Sequence, residues 1–248
     1  MDLGIEGRRA LVIAGSKGLG AGAARSLAAE GARVALTSRD PSGAQALATE
    51  LGGHALRFDT DDLDDIDRLV DEAVGLLGGI DILVLNTGGP PSHEHPFETT
   101  TGEWNRTHRS LVLSPFETMR RVVPRMAERG WGRVIVISSR AATHPIQRIP
   151  LANAYRPALL GNIGLLATRY GRDGVTINAV VPGVFRTDRA LAGRNAEDLR
   201  RTEATIAIGR MGETRELGDV VAFLASERAG YITGSVLHVD GGLGAVPL

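Results

Sequence analysis

The stretch "ALVIAGSKGLGAGAARSLAAEG" (10–31) opens with a continuous apolar run, turns through a glycine-rich segment and continues as an alanine-rich amphipathic pattern. "ALVIAG" (10–15) lacks polar alternation, so it reads as a strand covered on both faces. "GAGAARSLAAEG" reads as a helix, and "AGSKGLG" (14–20) joins the two. A glycine-rich turn alone can be no more than a tight strand-to-helix connection. Here a strand precedes it, and a helix and a second strand follow. That context favours a phosphate-binding turn made of Gly15, Ser16, Lys17, Gly18, Leu19 and Gly20. Its glycines let backbone approach a pyrophosphate, and the helix amino terminus supplies N–H donors and the positive end of its dipole.

The same alternation continues along the chain. Apolar runs at 33–38, 55–59, 81–86, 133–138, 175–181 and 236–240 read as further strands. Amphipathic stretches at 65–78, at 103–130 and from Leu151 onward separate several of them. The pattern predicts an α/β fold: a doubly wound, Rossmann-type parallel sheet of about seven strands, with helices on both faces in three layers. No repeat or low-complexity linker interrupts it, so residues 1–248 read as one domain. Two loops follow the carboxyl ends of strands, at 87–100 and 183–200. Both are longer than connection requires, and they read as substrate loops.

Composition narrows the function classes. With a net charge of −1, 43% hydrophobic and 23% charged residues, the chain is an ordinary globular one with no electrostatic footprint for nucleic acid or anionic membrane. There is no cysteine, which excludes disulfides, thiolate metal sites and cysteine nucleophiles. The start "MDLGIEGRRALVIAG" does not read as a signal peptide, and no segment approaches a bilayer span. A reducing, cytoplasmic setting is expected. "SHEHP" (92–96) offers two histidines but no third metal ligand. The aspartates of 59–72 lack the glycine and glutamate of a calcium loop and read as helix-capping charges; no metal is expected.

The second strand ends "TSRD". An NAD site would place an acidic residue near that end, whereas Ser38 and Arg39 stand there and Lys17 lies in the glycine turn. Two cations and a hydroxyl suit a 2′-phosphate, which favours NADP(H).

With the glycine turn, "FDT" (58–60), "LNTGG" (85–89), "VIVISS" (134–139), "INAVVPGVFRT" (177–187) and "YITGSVLHVDGG" (231–242) in this order, the sequence resembles the short-chain dehydrogenase/reductase superfamily over nearly its whole length. Within it, the chain looks similar to 3-oxoacyl-(acyl carrier protein) reductases. The resemblance implies a nicotinamide cofactor, a small-molecule substrate and a homotetramer or homodimer. It places Asp59 and Thr60 near the adenine, Asn86 and Gly88 beside the ribose, and Pro182, Gly183, Val184 and Thr187 around the nicotinamide amide.

The family's chemistry uses a serine after the fifth strand, a tyrosine thirteen residues on, a lysine four further, and an asparagine in the preceding long helix. Counted from Ser139, the tyrosine position is Ala152 and the lysine position Arg156. The asparagine position is Leu111, and Ala14 replaces the first loop glycine. The spacing from Arg156 to Asn178 matches the family without a gap. Arg156 can hold ribose hydroxyls but is too basic to relay protons. Tyr155 could lean over the space left by Ala152, one turn back on the same helix face, and His144 is a second possible acid. The competing reading for Tyr155 is packing against a neighbouring helix or subunit.

The sequence thus predicts an NADP(H)-dependent oxidoreductase for a carbonyl or alcohol, with Ser139, Arg156 and Tyr155 as catalytic residues and a non-standard proton donor. Two alternatives stand beside it. One is a non-redox protein on this fold, such as a cyclase, an isomerase or a cofactor-binding sensor. The other is a lyase similar to halohydrin dehalogenases, which carry arginine at the lysine position.

Overall fold

The computed structural model describes residues 2–244; Met1 and residues 245–248 of the expected domain lie outside the described residues. Seven strands form one sheet: β1 (Arg9–Val12), β2 (Arg33–Ser38), β3 (His54–Arg57), β4 (Ile82–Leu85), β5 (Gly132–Ile137), β6 (Val175–Pro182) and β7 (Val236–Val239). Every pairing is parallel, and the order is β3-β2-β1-β4-β5-β6-β7. Strands β4, β5 and β6 are buried along their whole lengths, the physical counterpart of their unbroken apolar runs.

Helices cover both faces. On one side α3 (Ile66–Leu77), α5 (Ser114–Glu128) and α6 (Pro150–Tyr170) supply Leu69, Met119 and Ile163 to a core with Leu11, Leu83 and Val134. On the other, α1 (Gly18–Ala29), α2 (Pro41–Glu50) and α9 (Thr214–Leu224) supply Leu27, Leu47 and Leu217 to a core with Val12, Val84 and Ile135. Alternate residues of one strand thus feed opposite cores. The chain winds out one way from β1 through β2 to β3 and the other way from β4 onward. The crevice at that reversal, outside the carboxyl ends of β1 and β4, is where such sheets take ligands.

Some elements differ from expectation. The pattern at 103–130 is not one regular helix: α4 (Thr101–His108) passes through a π-helical turn at Arg109–Leu113 into α5. The loop at 183–200 contains two short helices, α7 (Asp188–Leu191) and α8 (Ala196–Glu203), capped by the Thr187 hydroxyl and the Asn195 amide oxygen. At α3 the N-cap Asp65 makes no side-chain cap. Its carboxylate pairs with Arg68 instead, so the aspartates there act by charge more than by capping.

Candidate active site

The crevice is an open cleft of about 1380 Å³, larger than a pocket for one drug-sized ligand. Its near wall is the glycine turn, through Ala14, Ser16, Lys17, Gly18 and Leu19. Gly18 has φ +54°, and its Cα faces Thr187 at the opposite wall. Gly15 and Gly20 stand behind the surface. A Cβ on Gly20 would run into the Ala14 carbonyl and come within 2.8 Å of Asn86 Nδ2, so glycine keeps the turn tight. Ala14 itself adopts φ +48°, a left-handed conformation unfavourable for alanine. Two bonds hold it there: its N–H donates to Thr37 Oγ1 at 2.9 Å, and its carbonyl accepts from Asn86 Nδ2 at 3.0 Å. Helix α1 begins at Lys17 with no side-chain cap and no acidic residue in its first turn, leaving its amide donors and dipole uncompensated by side chains.

At the end of β2, Ser38, Arg39 and Lys17 line the cleft together, and Ser16 Oγ donates to Ser38 Oγ at 3.2 Å. Neither Lys17 nor Arg39 has a salt-bridge partner among the described residues. Asp40 also lines this end, but its Oδ1 accepts from both the amide and the hydroxyl of Ser42 at the start of α2. These bonds hold its carboxyl below the usual range. Asp59, Thr60, Asn86 and Gly88 follow along the floor, and Pro182, Gly183, Val184 and Thr187 form the far wall. A Cβ on Gly183 would come within 2.6 Å of Asp240 Cα, so the wall needs glycine for a close backbone approach.

The deep end holds Ser139, Ala152 and Arg156. Ser139 ends the β5 connection, and its Oγ accepts from the Ala141 amide at 3.2 Å while its own proton remains free to donate. Arg156 is only 6% exposed. Its Nη1 donates to the Ile137 carbonyl and its Nη2 to those of Thr87 and Gly88, all at 3.4 Å, the long limit for such bonds. Arg156 Nε and Thr87 Oγ1 are both buried without a partner. Burial pushes the Arg156 pKa down to about 10, with the nearby Arg189 cation adding to the effect.

Tyr155 does not reach this end. Its ring packs against Trp104 and His108 of α4, with centroids 5.4 Å from each, and it does not line the cleft. The expectation that it fills the space beside Ala152 is therefore corrected: although residues 152 and 155 share a helix face, two aromatic neighbours on α4 hold the ring away from the cleft. His144 is likewise turned away, bonded to Thr143 and set edge-on to His238. The wide turn at Arg109–Leu113 persists although Leu111 carries no side-chain amide; Leu111 is buried, with 1% exposure. The histidines of "SHEHP" serve the loop: His93 bonds Glu103 at 3.1 Å, and His95 Nδ1 accepts from the Phe97 amide.

Residues not singled out from the sequence also shape the cleft. Thr87, Arg106, Arg189 and Arg194 line it. Asn153 brackets Ile146 with two hydrogen bonds of 2.8–2.9 Å, fixing the segment that leads into α6. The only sequence signal for the arginines was their position in or beside the two long loops.

The cleft's walls fit a dinucleotide. The uncapped helix start suits a diphosphate, the Lys17–Ser38–Arg39 group suits a ribose phosphate, and the unpartnered Arg156 Nε and Thr87 Oγ1 suit ribose hydroxyls at the deep end.

Comparison with known proteins agrees with this architecture. The family model described as enoyl-(acyl carrier protein) reductase matches residues 13–244. The chain is 34% identical over 245 residues to 3-oxoacyl-[acyl-carrier-protein] reductase FabG of Escherichia coli, covering 97% of this chain and 99% of that protein. It is 34% identical over 239 residues to human dehydrogenase/reductase SDR family member 4, covering 94% and 86%. Among solved structures, L-sorbose reductase from Gluconobacter frateurii, complexed with NADPH and L-sorbose, superposes with a TM-score of 0.91 at 30% identity over 100% of both chains.

Proposed function

The chain belongs to the short-chain dehydrogenase/reductase superfamily, and on that premise we propose that it is an NADP(H)-dependent oxidoreductase for a small carbonyl or alcohol substrate, working without the family's tyrosine. The observation that carries this reading is the pairing of two ends in one cleft. One end gathers Lys17, Ser38 and Arg39, and the acidic residue beside them, Asp40, has its Oδ1 bonded to Ser42. The other gathers Ser139, Ala152 and Arg156, whose Nε is without a partner.

Gly18, Ser16 and Leu19 would hold the diphosphate through the start of α1, and Asn86, Gly88 and Arg156 the nicotinamide ribose. Val184 and Thr187 would stand at the carboxamide. The cofactor supplies or accepts the hydride when bound. Ser139 donates a hydrogen bond to the substrate oxygen, and Arg156 stabilises the negative charge that grows there. With its pKa about 10, Arg156 stays charged at neutral pH and releases no proton. The proton that completes the alcohol therefore comes from water in the open cleft. Loss of a positioned general acid lowers the rate on the order of 10²- to 10⁴-fold relative to a family member that has one. Orientation alone still supports a substantial rate.

Two observations favour oxidoreduction over the lyase. The glycine turn is intact in form, and the tyrosine that a dehalogenase needs as base is absent at Ala152. The decisive test uses NADPH deuterated at nicotinamide C4 with a panel of aldehydes and ketones. Deuterium at the carbinol carbon supports the reading. Tight NADPH binding with no deuterium transfer to any member supports a non-redox protein instead.

None of the described helices is long and apolar enough to cross a membrane. The edge strand β7 exposes Val236 and Leu237, and α6 exposes Leu165. These apolar surfaces support the expected homotetramer or homodimer.

A further inference from the structure

Beyond Arg156, three arginines at the exposed rim of the Ser139–Arg156 half of the cleft are not used by the cofactor reading. Arg189, on α7, lays its guanidinium against the backbone of Gly89 and donates to the Pro90 carbonyl at 3.0 Å. Across the same Gly88–Gly89 segment, the buried Arg156 reaches the Gly88 carbonyl from the other side. Arg194 follows α7 and bonds only the Thr202 hydroxyl, while Arg106 comes from α4 on the opposite wall. None of these four arginines has a carboxylate within salt-bridge distance among the described residues, although most other arginines of the chain are paired in that way. Two carboxylates also line the region. Glu103 is already bonded to His93 and Thr100, and Asp188 is exposed at the start of α7.

We propose that this end of the cleft binds a substrate that carries an anionic group, a carboxylate or a phosphate, held by Arg189 and Arg194 with Arg106 facing them. The proposal rests on reading the Ser139–Arg156 end as the substrate end, and it adds the substrate's charge class to it. Arg106, Arg189 and Arg194 are exposed and carry no counter-ion among the described residues, so an anion meets their charge without first breaking an ion pair. Arg189 offers a planar pair of donors suited to carboxylate or phosphate. Its close seat on Gly89 limits the rotamer freedom it would lose on binding, because any side chain at 89 would collide with it. The two loops singled out by length thus meet through Arg189 and Pro90 around the mouth of the site.

The test is calorimetric and does not depend on turnover. The protein, free and then saturated with NADPH, is titrated with acetoacetate, with dihydroxyacetone phosphate, and with the uncharged methyl acetoacetate and dihydroxyacetone. The proposal predicts that at least one anion binds about tenfold or more tighter than its uncharged counterpart. It also predicts that added salt weakens the difference and that Arg189→Met abolishes it while changing NADPH affinity less than about threefold. Whether the carboxylate or the phosphate binds tighter names the group. Equal binding of charged and uncharged members overturns the proposal. So does an Arg189→Met protein that loses NADPH affinity but keeps the anion preference, which would assign the arginines to the cofactor diphosphate. Anion binding in a protein that takes no NADPH leaves this inference standing and removes the nicotinamide reading, so the two fail separately.

Discussion

Arg156 is buried, charged and bonded only to three carbonyls at 3.4 Å. Its folded-state pKa lies below the unfolded one, so the folded chain holds that proton less tightly. The charged form therefore weakens the fold throughout the range below pH 10, and the penalty lifts as pH rises above about 10. Arg156→Met should raise stability at pH 7, by at most about 3 kcal/mol and with a higher thermal midpoint, and the gain should shrink above pH 10. A melting series with pH reads this directly, and a variant less stable than the parent at pH 7 contradicts it. The same variant should lose cofactor-dependent turnover, a stability gained at the expense of function. Ala14 is a second strained position: Ala14→Gly should stabilise by about 1 kcal/mol, since φ +48° carries no penalty for glycine. Tyr155→Phe should keep kcat, whereas Ser139→Ala should lower it about tenfold or more. Equal losses in both would return Tyr155 to the mechanism. At this scale the sequence was legible where register decides the outcome: Ser139, Ala152 and Arg156 do stand together. It was not legible where a side chain's direction decides. Tyr155 and the cleft share one helix, and only the rings of Trp104 and His108 fix which way it turns.

Helices α1 and α9 pack side by side on one face of the sheet with little room to spare. A Cβ on Gly218 of α9 would meet Ser26 Oγ at 2.5 Å and Gly22 C at 2.7 Å on α1, and Ser26 Oγ also donates to Asp219. Gly218→Ala should therefore push α1 and α9 apart and lower stability by about 1–3 kcal/mol, with an accompanying drop in cofactor affinity if the start of α1 holds the diphosphate as proposed. Unchanged melting would mean that the two helices slide freely. At the start of α9, the Arg210 guanidinium and the Glu213 amide hold the Glu216 carboxyl down to about 2. Its contribution is present above the ordinary glutamate pKa and fades as pH falls toward 2; Glu216→Gln should flatten that part of the acid unfolding curve. The central strands β4, β5 and β6 were legible as unbroken apolar runs because they are covered on both faces and need no polar alternation, whereas the edge strands β3 and β7 are partly exposed and carry His54, Arg57 and His238. Helices α2 and α9 were passed over: the apolar pattern of α2 is weak, and at both the capping residues Asp40 and Glu213 announce the start more clearly than periodicity does. The π turn at Arg109–Leu113 could not be read from residue type, since Leu111 is an ordinary helix former.

The whole molecule places a cationic, hydroxyl-lined end and a catalytically sparse end in one cleft at the sheet's reversal point. That placement follows from the strand order, which only the structure gives; alternation in the sequence indicated a doubly wound parallel sheet and no more. The cleft's arginine excess was not readable, because Arg106, Arg156 and Arg189 come from three distant segments that only the fold brings together. Assembly is testable at this scale too: light scattering should give a mass of two or four chains, and replacing Leu237 on the exposed edge strand by Lys should lower it. The account as a whole rests on the cofactor site. The first measurement is a parallel fluorescence titration of the purified protein with NADPH and NADH, repeated on Lys17→Ala/Arg39→Ala. The account predicts NADPH binding about tenfold or more tighter than NADH in the parent, and near-equal binding in the double variant. Equal affinity in the parent, or no binding of either nucleotide, would contradict it.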